Sequence, residues 1–442
     1  MNELVFGGLL IGALVVFVLL GVHIAVALIG IGFAGIWLMR EDVEMAMRLL
    51  YLSAYNGVAD YIFATIPLFV LMGLLVSISN VGKDTFEVAE ALLRRVRGGL
   101  GVATVAANTV FAAVTGVSIA SAAVFTRVAV PEMARHGYRT AFAAGTVAGS
   151  SVLGMMIPPS LLMIIYGVLA EQSIGTLFIA GIIPGFMLAA VFVAMIVLMA
   201  TFAPGMVFDL KRQRDMAQQR ASGPLLSGAQ MAGKLVPIVA LVALVLGGLY
   251  SGFFTPTEAG GIGAFGALVV ALARRSLGQG RFWRVLHETG SVSVTILILL
   301  IAASFYSRML SVAGVPVAIS DLVQDAGLGP YGFLLIYVLI VLFLGMILDS
   351  SSILLIMTPV AVPIASDLGF NLIQFGVLTV LAVEIGLLTP PFGISVFTVK
   401  STLNDPRVSV EAIFGGTLPY VAAMLFVLLL VAVFPVLSLA LT

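Results

Sequence analysis

The sequence has 442 residues, of which 61% are hydrophobic and only 10% are charged, and its mean hydropathy is +1.20. A soluble globular chain is about half apolar and about a quarter charged, so these values argue against a soluble enzyme, a DNA-binding protein and a disordered chain. The 21 basic and 21 acidic side chains balance and Cys is absent, which leaves no basic arm for nucleic acid and no thiolate metal site. We therefore predict an all-α polytopic membrane protein.

The apolar segments are long enough for several membrane spans. A helix that crosses the hydrocarbon core needs about 20 apolar residues. The sequence predicts ten such spans, at residues 4–20, 22–39, 55–80, 140–170, 174–203, 234–250, 258–273, 286–311, 372–400 and 411–438.

Two further apolar stretches, 98–131 and 331–363, do not fit a single span. Each is about 34 residues long, which is too long for one straight span and too short for two spans with a turn. Each also has a polar, turn-prone centre, at Thr115–Ser118 and at Asp349–Ser352. We predict that both are re-entrant helical hairpins, which enter the membrane halfway and leave on the same side.

The charges that flank the two hairpins support this prediction. Basic residues mark the cytoplasmic side of a membrane protein, and Arg flanks the first hairpin at both ends, whereas the second has only Asp nearby. The first hairpin is therefore expected to open to the cytoplasm and the second to the periplasm. The flanking residues are Arg94, Arg95, Arg97, Arg135 and Arg139 for the first hairpin, and Asp321, Asp325 and Asp367 for the second.

The chain repeats itself at an offset of 232 residues, as from Ser118 to Ser350. At this offset TRVAVP (126–131) matches TPVAVP (358–363), and the Pro-Pro pair of GMMIPP matches that of GLLTPP. We predict two repeats, residues 1–203 and 234–442, joined by a cytoplasmic linker at 204–233. Each repeat would hold five spans and one hairpin, so the odd number of spans inverts the second repeat, as in many secondary transporters.

The Pro-Pro pairs lie in the middle of the long apolar segments 140–170 and 372–400. Proline removes a backbone donor and clashes with the preceding turn, so each segment is predicted to be a broken helix. The free carbonyls and amides at a break must line a cavity within the protein. Carbonyls with hydroxyls suit Na⁺, and helix N-termini suit a carboxylate. A proline kink used only for packing is the alternative.

Each hairpin tip, combined with the break of its own repeat, is predicted to form one Na⁺ cage, and the two together one anion site. The predicted Na⁺ ligands are Thr115, Gly116, Ser118, Gly154, Ile157, Ser160, Gly345, Asp349, Gly386 and Thr389. The predicted substrate-binding residues are Ser118, Ser121, Pro159, Ser350, Ser351, Ser352 and Pro391.

Two acidic residues in the apolar segments leave alternatives open. A carboxylate within the membrane is usually functional, so Asp349 either binds a cation, carries a proton, or caps the returning helix of its hairpin. Glu384 is a weaker candidate for the same roles. The stretch Gly228–Lys234 resembles a phosphate loop but lacks the required Ser or Thr, and we interpret it as a false match. We expect neither enzymatic activity nor a prosthetic group.

The sequence resembles the large membrane subunit of tripartite ATP-independent periplasmic (TRAP) transporters, the DctM-like family, over essentially its whole length. The resemblance is carried by Ile66–Phe69 with Gly73, Thr115–Ser121, Gly154–Ser160, Thr255–Ala259, Gly345–Asp349 and Gly386–Gly393.

This resemblance implies Na⁺-driven uptake of an organic acid, such as a C4-dicarboxylate or sialic acid, across the bacterial inner membrane. It also implies a periplasmic solute-binding protein that delivers the substrate and a separate small four-helix membrane subunit. An elevator mechanism is expected, in which residues 98–170 and 331–400 move as one body. Residues 4–80, 174–311 and 411–438 would then form the scaffold and connecting arms. Proton coupling through Asp349 or Glu384 is the alternative.

Overall fold

The computed structural model describes residues 3–209, 226–278 and 280–442, and within these ranges the chain is helical. The first half contains α1 (Glu3–Leu19), α2 (Ile24–Arg40), α3 (Val43–Ala59), α4 (Thr65–Ile78), α5 (Val81–Leu93), α6 (Gly99–Thr115), α7 (Ser118–Arg135), α8 (Thr140–Ser151), α9 (Leu153–Met156), α10 (Leu161–Leu169), α11 (Ile174–Phe202) and α12 (Pro204–Val207). The second half contains α13 (Gly228–Tyr250), α14 (Pro256–Ala273), α15 (Arg281–Val312), α16 (Val315–Asp325), α17 (Pro330–Gly345), α18 (Ser350–Asp367), α19 (Leu372–Gly386), α20 (Ile394–Leu403), α21 (Val410–Val433) and α22 (Val436–Leu439).

Seven helices in the described ranges are long and apolar enough to span a bilayer, or eight spans if one bent pair is counted as a single span. The bent pair, 140–156 with 161–169, turns by 43°. Length and composition thus bear out seven of the ten predicted spans. The predicted spans 4–20, 22–39 and 372–400 correspond to shorter apolar helices, and α18 meets the length criterion although it was predicted as one leg of a hairpin.

Both predicted hairpins consist of two helices joined by a short turn. In the first, only Gly116 and Val117 separate α6 from α7, and the returning leg extends to Arg135, four residues beyond the predicted end. In the second, residues 346–349 separate α17 from α18, which also extends four residues too far, to Asp367. The polar centres were therefore correctly predicted to be turns, whereas the returning legs are longer than predicted.

Both Pro-Pro pairs interrupt a helix. Residues 157–160 separate α9 from α10, and residues 387–393 separate α19 from α20. In each case the Pro-Pro peptide bond is cis. The alternative of a continuous, merely kinked helix is therefore excluded at both positions.

The boundaries of the helices repeat at the same offset as the sequence. Ser118 begins α7 and Ser350 begins α18, while Thr140 begins α8 and Leu372 begins α19. The same offset relates the start of α2 at Ile24 to that of α14 at Pro256. The local structure thus supports the division of the chain into two equivalent halves.

Three helices were not predicted as separate elements: α3, α5 and α16. The segment 55–80 includes the end of α3, and the span itself runs from Tyr61 to Ile78. Helices α5 and α16 each follow a residue with positive φ, Asn80 and Gly314. These helices are too polar or too short to satisfy a span-length test, which is why an apolar-window argument missed them.

Part of the predicted linker 204–233 lies outside the described residues, including Lys211, Arg212, Arg214 and Arg220. The last six residues of the predicted linker are helical, because α13 begins at Gly228 with a capping box between Ser227 and Gln230. The stretch that resembled a phosphate loop is therefore helical from its first glycine, and the interpretation as a false match holds.

Small residues let the helices approach closely. A Cβ added to Gly145 of α8 would collide with the backbone of Gly416 on α21, and Tyr420 of α21 donates to Oγ1 of Thr146 at 2.8 Å. Close packing of this kind is the main source of helix association in a membrane. The broken helix of the first repeat is thereby fixed to α21 of the second.

A second close contact joins the two repeats on the other side of the molecule. The hydroxyls of Thr65 on α4 and Thr257 on α14 lie 2.7 Å apart, and a Cβ added to Gly263 would lie 2.5 Å from the sulfur of Met72. Helix α14 begins with a capping box between Thr255 and Glu258, which fixes its end beside α4.

Candidate functional site

A cavity of about 590 Å³ lies where the two hairpin tips approach helix α15 and the turn between α1 and α2. Its size is within the usual range for a small-molecule site. The first tip contributes Val117, Ser118 and Ile119, and the second contributes Leu348 to Ser352. The structure therefore brings together the two polar turns that are separated by 232 residues in the sequence.

The first tip packs directly on the break of its own repeat. Gly116 has φ of +61°, and a Cβ at this position would lie 2.5 Å from the carbonyl oxygen of Pro159. The backbone amide of Leu161 donates to the carbonyl of Gly116 at 3.3 Å. Only glycine combines this backbone conformation with so close an approach, so the tip and the break form one unit.

A very small cavity lies at this contact. It has a volume of about 10 Å³ and is lined by Thr115, Gly116, Val117, Pro159 and Leu161, with Phe69 and Val70 of α4 behind them. A volume of this size is at the lower limit for one water molecule. The predicted cage of the first repeat therefore contains room for one particle of that size.

The second tip packs on the second break through glycine as well. A Cβ on Gly345 would lie 2.6 Å from Cα of Gly386, and one on Gly386 would lie 2.7 Å from Cα of Gly345. The predicted pairing of each tip with the break of its own repeat is thus what the backbone shows. Thr389, in this break, donates its hydroxyl to the carbonyl of Ile385 at 2.7 Å.

Glu384 lies fully buried beside both tips. Its Oε1 accepts a hydrogen bond from the hydroxyl of Ser350 at 3.3 Å, and the hydroxyl of Ser118 also interacts with this carboxylate. Its Oε2 has no hydrogen-bond partner within 3.5 Å among the described residues. The carboxylate thus lies where the two tips and the second break meet.

The two tips differ at their helix N-termini. Asp349 caps α18, and its Oδ2 accepts from the backbone amides of Ser351 at 3.1 Å and Ser352 at 3.2 Å. The capping role of Asp349 is therefore present in the structure. The residue at the equivalent position before α7 is Val117, and no side chain caps that helix. One tip thus has its amides occupied by a carboxylate, while the other leaves them open to the cavity.

Ser121 and Pro391 do not line the cavity. The hydroxyl of Ser121 donates to Asn108, whose amide donates to Ser150 at 2.5 Å, so it ties the two legs of the hairpin to the broken helix. Pro391 lies exposed beyond the second break. The expectation that these two residues surround the same ligand as Ser118 therefore has no support in their positions.

The remaining predicted ligands of the first break have structural contacts. Ser160 caps α10 by accepting from the amide of Met163 at 3.3 Å. Ile157 is buried against Gly185 of α11, where an added Cβ would lie 2.8 Å from the Ile157 side chain. A Cβ on Gly154 would lie 3.2 Å from the carbonyl of Val117, so Gly154 allows the first tip to approach.

Three polar residues of the cavity were not predicted: His23, Ser291 and Thr295. His23 precedes α2, and the other two lie one turn apart on α15. No Lys or Arg is among the residues described as lining this cavity. Its electrostatic preference therefore depends on helix N-termini, His23 and Asp349.

The description of a known family matches this architecture over nearly its whole length. Residues 11–437 match the family "Tripartite ATP-independent periplasmic transporter, DctM component". The chain belongs to this family. It is a multi-pass transporter permease subunit and not an enzyme.

Characterised members differ in substrate. The chain is 33% identical to the C4-dicarboxylate TRAP transporter large permease protein DctM of Pseudomonas aeruginosa, with 90% of each chain covered. It is 31% identical to the 2,3-diketo-L-gulonate TRAP transporter large permease protein YiaN of Escherichia coli, covering 98% of this chain and 97% of that one. It is 29% identical to the sialic acid TRAP transporter large permease protein SiaM of Vibrio cholerae, covering 98% and 94%.

Solved transporter structures share the fold. The YdaH transporter of Alcanivorax borkumensis superposes with a TM-score of 0.59 at 14% identity, covering 89% of both chains. MtrF of Neisseria gonorrhoeae gives a TM-score of 0.60 at 14% identity, covering 87% of this chain and 83% of that one. At this level of identity the likeness concerns the fold alone.

Proposed function

We propose that this permease imports an organic acid anion across the inner membrane, driven by a Na⁺ gradient. The observation that carries the proposal is the cavity between the two hairpin tips, with an uncapped helix N-terminus at one of them. Helix N-termini favour anions through free amides and the helix dipole. The named substrates of the relatives, C4-dicarboxylates, a sugar acid and sialic acid, are carboxylates and support this substrate class.

The substrate carboxylate binds at the start of α7. There the amides of Ile119 and Ala120 correspond to those that Asp349 occupies at the second tip. Ser118 and Ser350–Ser352 offer hydroxyls to the rest of the molecule. His23, Ser291 and Thr295 face the tips from the opposite wall and contact the part of the substrate that distinguishes one organic acid from another.

Na⁺ occupies the contact between each tip and its break. The cavity of about 10 Å³ beside Thr115, Gly116 and Pro159 is the first position. The second lies where Gly345 meets Gly386, with Thr389 and Asp349 nearby. Na⁺ prefers oxygen ligands, which carbonyls and hydroxyls at a broken helix supply. Because each cage includes part of a tip, an ion bound there fixes the tip in the shape that binds the substrate.

The two halves are inverted repeats, and transport is a movement of one body against another. The hairpins and broken helices form the moving body, as the resemblance implies. We add α11 and α21 to it, because α21 packs backbone to backbone on α8, and Gly181 of α11 lies against the carbonyl of Met156. The scaffold then consists of α1–α4 and α13–α15, and the cavity lies at the boundary.

A complete transporter requires two partners: a small four-helix membrane subunit and a periplasmic solute-binding protein. The test is uptake into proteoliposomes that contain the permease with its small subunit, with the binding protein added outside. Radiolabelled succinate, N-acetylneuraminate and 2,3-diketo-L-gulonate serve as candidate substrates. We expect one of them to accumulate only with an inward Na⁺ gradient. Accumulation that is independent of Na⁺ would contradict the proposal.

Proton coupling is the second candidate, because Glu384 is buried between the tips with one carboxylate oxygen unpartnered. A proton on that oxygen would give Glu384 a donor, and its release would change the contacts of both tips. The variants Glu384→Gln and Asp349→Asn separate the candidates. If protons drive uptake, Glu384→Gln abolishes uptake driven by a pH gradient. If Na⁺ drives it, uptake still follows the Na⁺ gradient in Glu384→Gln, and Asp349→Asn raises the Na⁺ concentration that is needed.

A further inference from the structure

Helix α5 connects α4 of the scaffold to the first hairpin, and its acidic residues face two ways. Asp84 and Glu87 form ion pairs with Lys234 of α13, and Asp84 also pairs with Arg274 at the end of α14. Two turns away from Asp84, Glu90 faces the end of α7. The arm is therefore held to the scaffold by charge at one position and lies against the hairpin at another.

Glu90 forms a compact group with two residues of α7, Glu132 and His136. Each of the three offers a ligand atom, and these atoms all lie within 4.8 Å of one another. Glu132 and His136 are four residues apart on one helix, so they lie on the same face. The group thus joins two helices and contains two oxygen ligands and one nitrogen ligand.

The contacts already present satisfy this group only in part. Nδ1 of His136 lies 3.3 Å from a carboxylate oxygen of Glu132 and 3.0 Å from its backbone carbonyl. Arg135 lies 3.6 Å from the other oxygen of Glu132 and is largely exposed. Glu90 is half-buried and makes no ion pair within 4.0 Å among the described residues. Burial raises the pKa of Glu90, and so does the Glu132 carboxylate, while His136 opposes them and Glu87 adds to them.

Two half-buried carboxylates beside an imidazole favour a divalent transition metal. Zn²⁺ accepts three protein ligands of the Asp, Glu and His type with an open fourth position, whereas Mg²⁺ and Ca²⁺ prefer oxygen ligands alone. A cation between Glu90 and Glu132 would relieve their mutual repulsion without moving either helix far.

We propose that Glu90, Glu132 and His136 form a regulatory site for Zn²⁺ or a similar divalent metal ion. A metal bound there fastens α5 to the returning leg of the first hairpin. Since the same helix is tied to α13 and α14 by its ion pairs, the bound metal restrains the hairpin relative to the scaffold and slows transport. The binding of the metal does not depend on which substrate or coupling ion the permease uses.

The test is a Zn²⁺ titration of the full chain with its small subunit in nanodiscs. The variants are Glu90→Gln, Glu132→Gln and His136→Asn. The matched control is His287→Asn, because His287 is also exposed near one end of a helix and has an acidic neighbour, Glu288. Thermal unfolding without metal verifies that each variant is folded.

We expect each of the three variants to weaken Zn²⁺ binding by at least about tenfold, and His287→Asn to leave it unchanged. Co²⁺ used in place of Zn²⁺ is expected to give a visible absorption band that His136→Asn shifts. Equal Zn²⁺ affinity in wild type and all three variants would overturn the proposal. An affinity for Mg²⁺ equal to that for Zn²⁺, with no effect of His136→Asn, would overturn it too, since the imidazole would then not be a ligand.

Discussion

Replacing Val117 by Asp tests where the substrate carboxylate binds. Val117 precedes α7 as Asp349 precedes α18, and only Asp349 caps its helix. An Asp at position 117 is expected to accept from the amides of Ile119 and Ala120, as Asp349 does from the amides of Ser351 and Ser352. The new side chain would then occupy the donors that we assign to the substrate.

The magnitude follows from the two hydrogen bonds at the second tip, at 3.1 and 3.2 Å. A hydrogen bond to a charged group contributes about 1.5–3 kcal/mol. Loss of two such bonds costs at least about 3 kcal/mol, which weakens binding roughly 100-fold. The folded protein should not be destabilised, because a capping Asp stabilises a helix by about 1 kcal/mol.

The assay is equilibrium binding of the transported substrate to the purified permease and small subunit at saturating Na⁺. Val117→Ala, which offers no acceptor, is the control and should bind within a few-fold of wild type. Val117→Asn competes for the same amides without a charge and should fall between the two. Wild-type affinity in Val117→Asp, with the protein folded, would refute the assignment of the carboxylate to this tip.

Three other predictions concern the tip, the packing of α21 and the arm. Gly116→Ala should remove most of the Na⁺ dependence of uptake, because a Cβ would lie 2.5 Å from the carbonyl oxygen of Pro159 and the residue has positive φ; unchanged Na⁺ activation would contradict it. Gly416→Ala should destabilise the protein by about 1–3 kcal/mol through overpacking, measured by thermal unfolding, whereas the neighbouring Gly415→Ala, which meets nothing within 4 Å, should not. Burial alone would raise the pKa of Asp84, but hydrogen bonds and charge from Lys234 and Arg274 lower it overall. Its stabilising effect is therefore present above the unfolded pKa of about 3.8 and is lost as the pH falls through the lower folded pKa. A denaturation series in nanodiscs over that range should show the loss in wild type and not in Asp84→Asn.

The hairpins and the breaks could be predicted because each depends on local sequence. Length alone excludes a single span for 98–131 and 331–363, and a Pro-Pro pair cannot continue a helix. The internal repeat then doubled the information, since every feature of one half could be checked in the other. These are properties that a single sequence contains, and the helix boundaries agree with them.

The walls of the cavity could not be predicted in the same way. His23, Ser291 and Thr295 belong to elements far apart in sequence, and only tertiary packing brings them opposite the tips. Ser121 was assigned to the substrate from its distance to Ser118 along the chain, although three residues on a helix do not guarantee the same neighbours. Its hydroxyl turns to Asn108 instead. The orientation of a side chain depends on what packs around it.

The difference between Val117 and Asp349 explains how a repeated architecture can bind one substrate in one orientation. Two equivalent tips would offer two equivalent anion sites, and a carboxylate could then bind at either. Asp349 fills the amides of its own tip with a carboxylate from the chain, so only the tip at Val117 remains available. The same negative charge lies beside the second proposed Na⁺ position, where it favours a cation. One substitution between the repeats thus turns a symmetric pair into an anion site and a cation site.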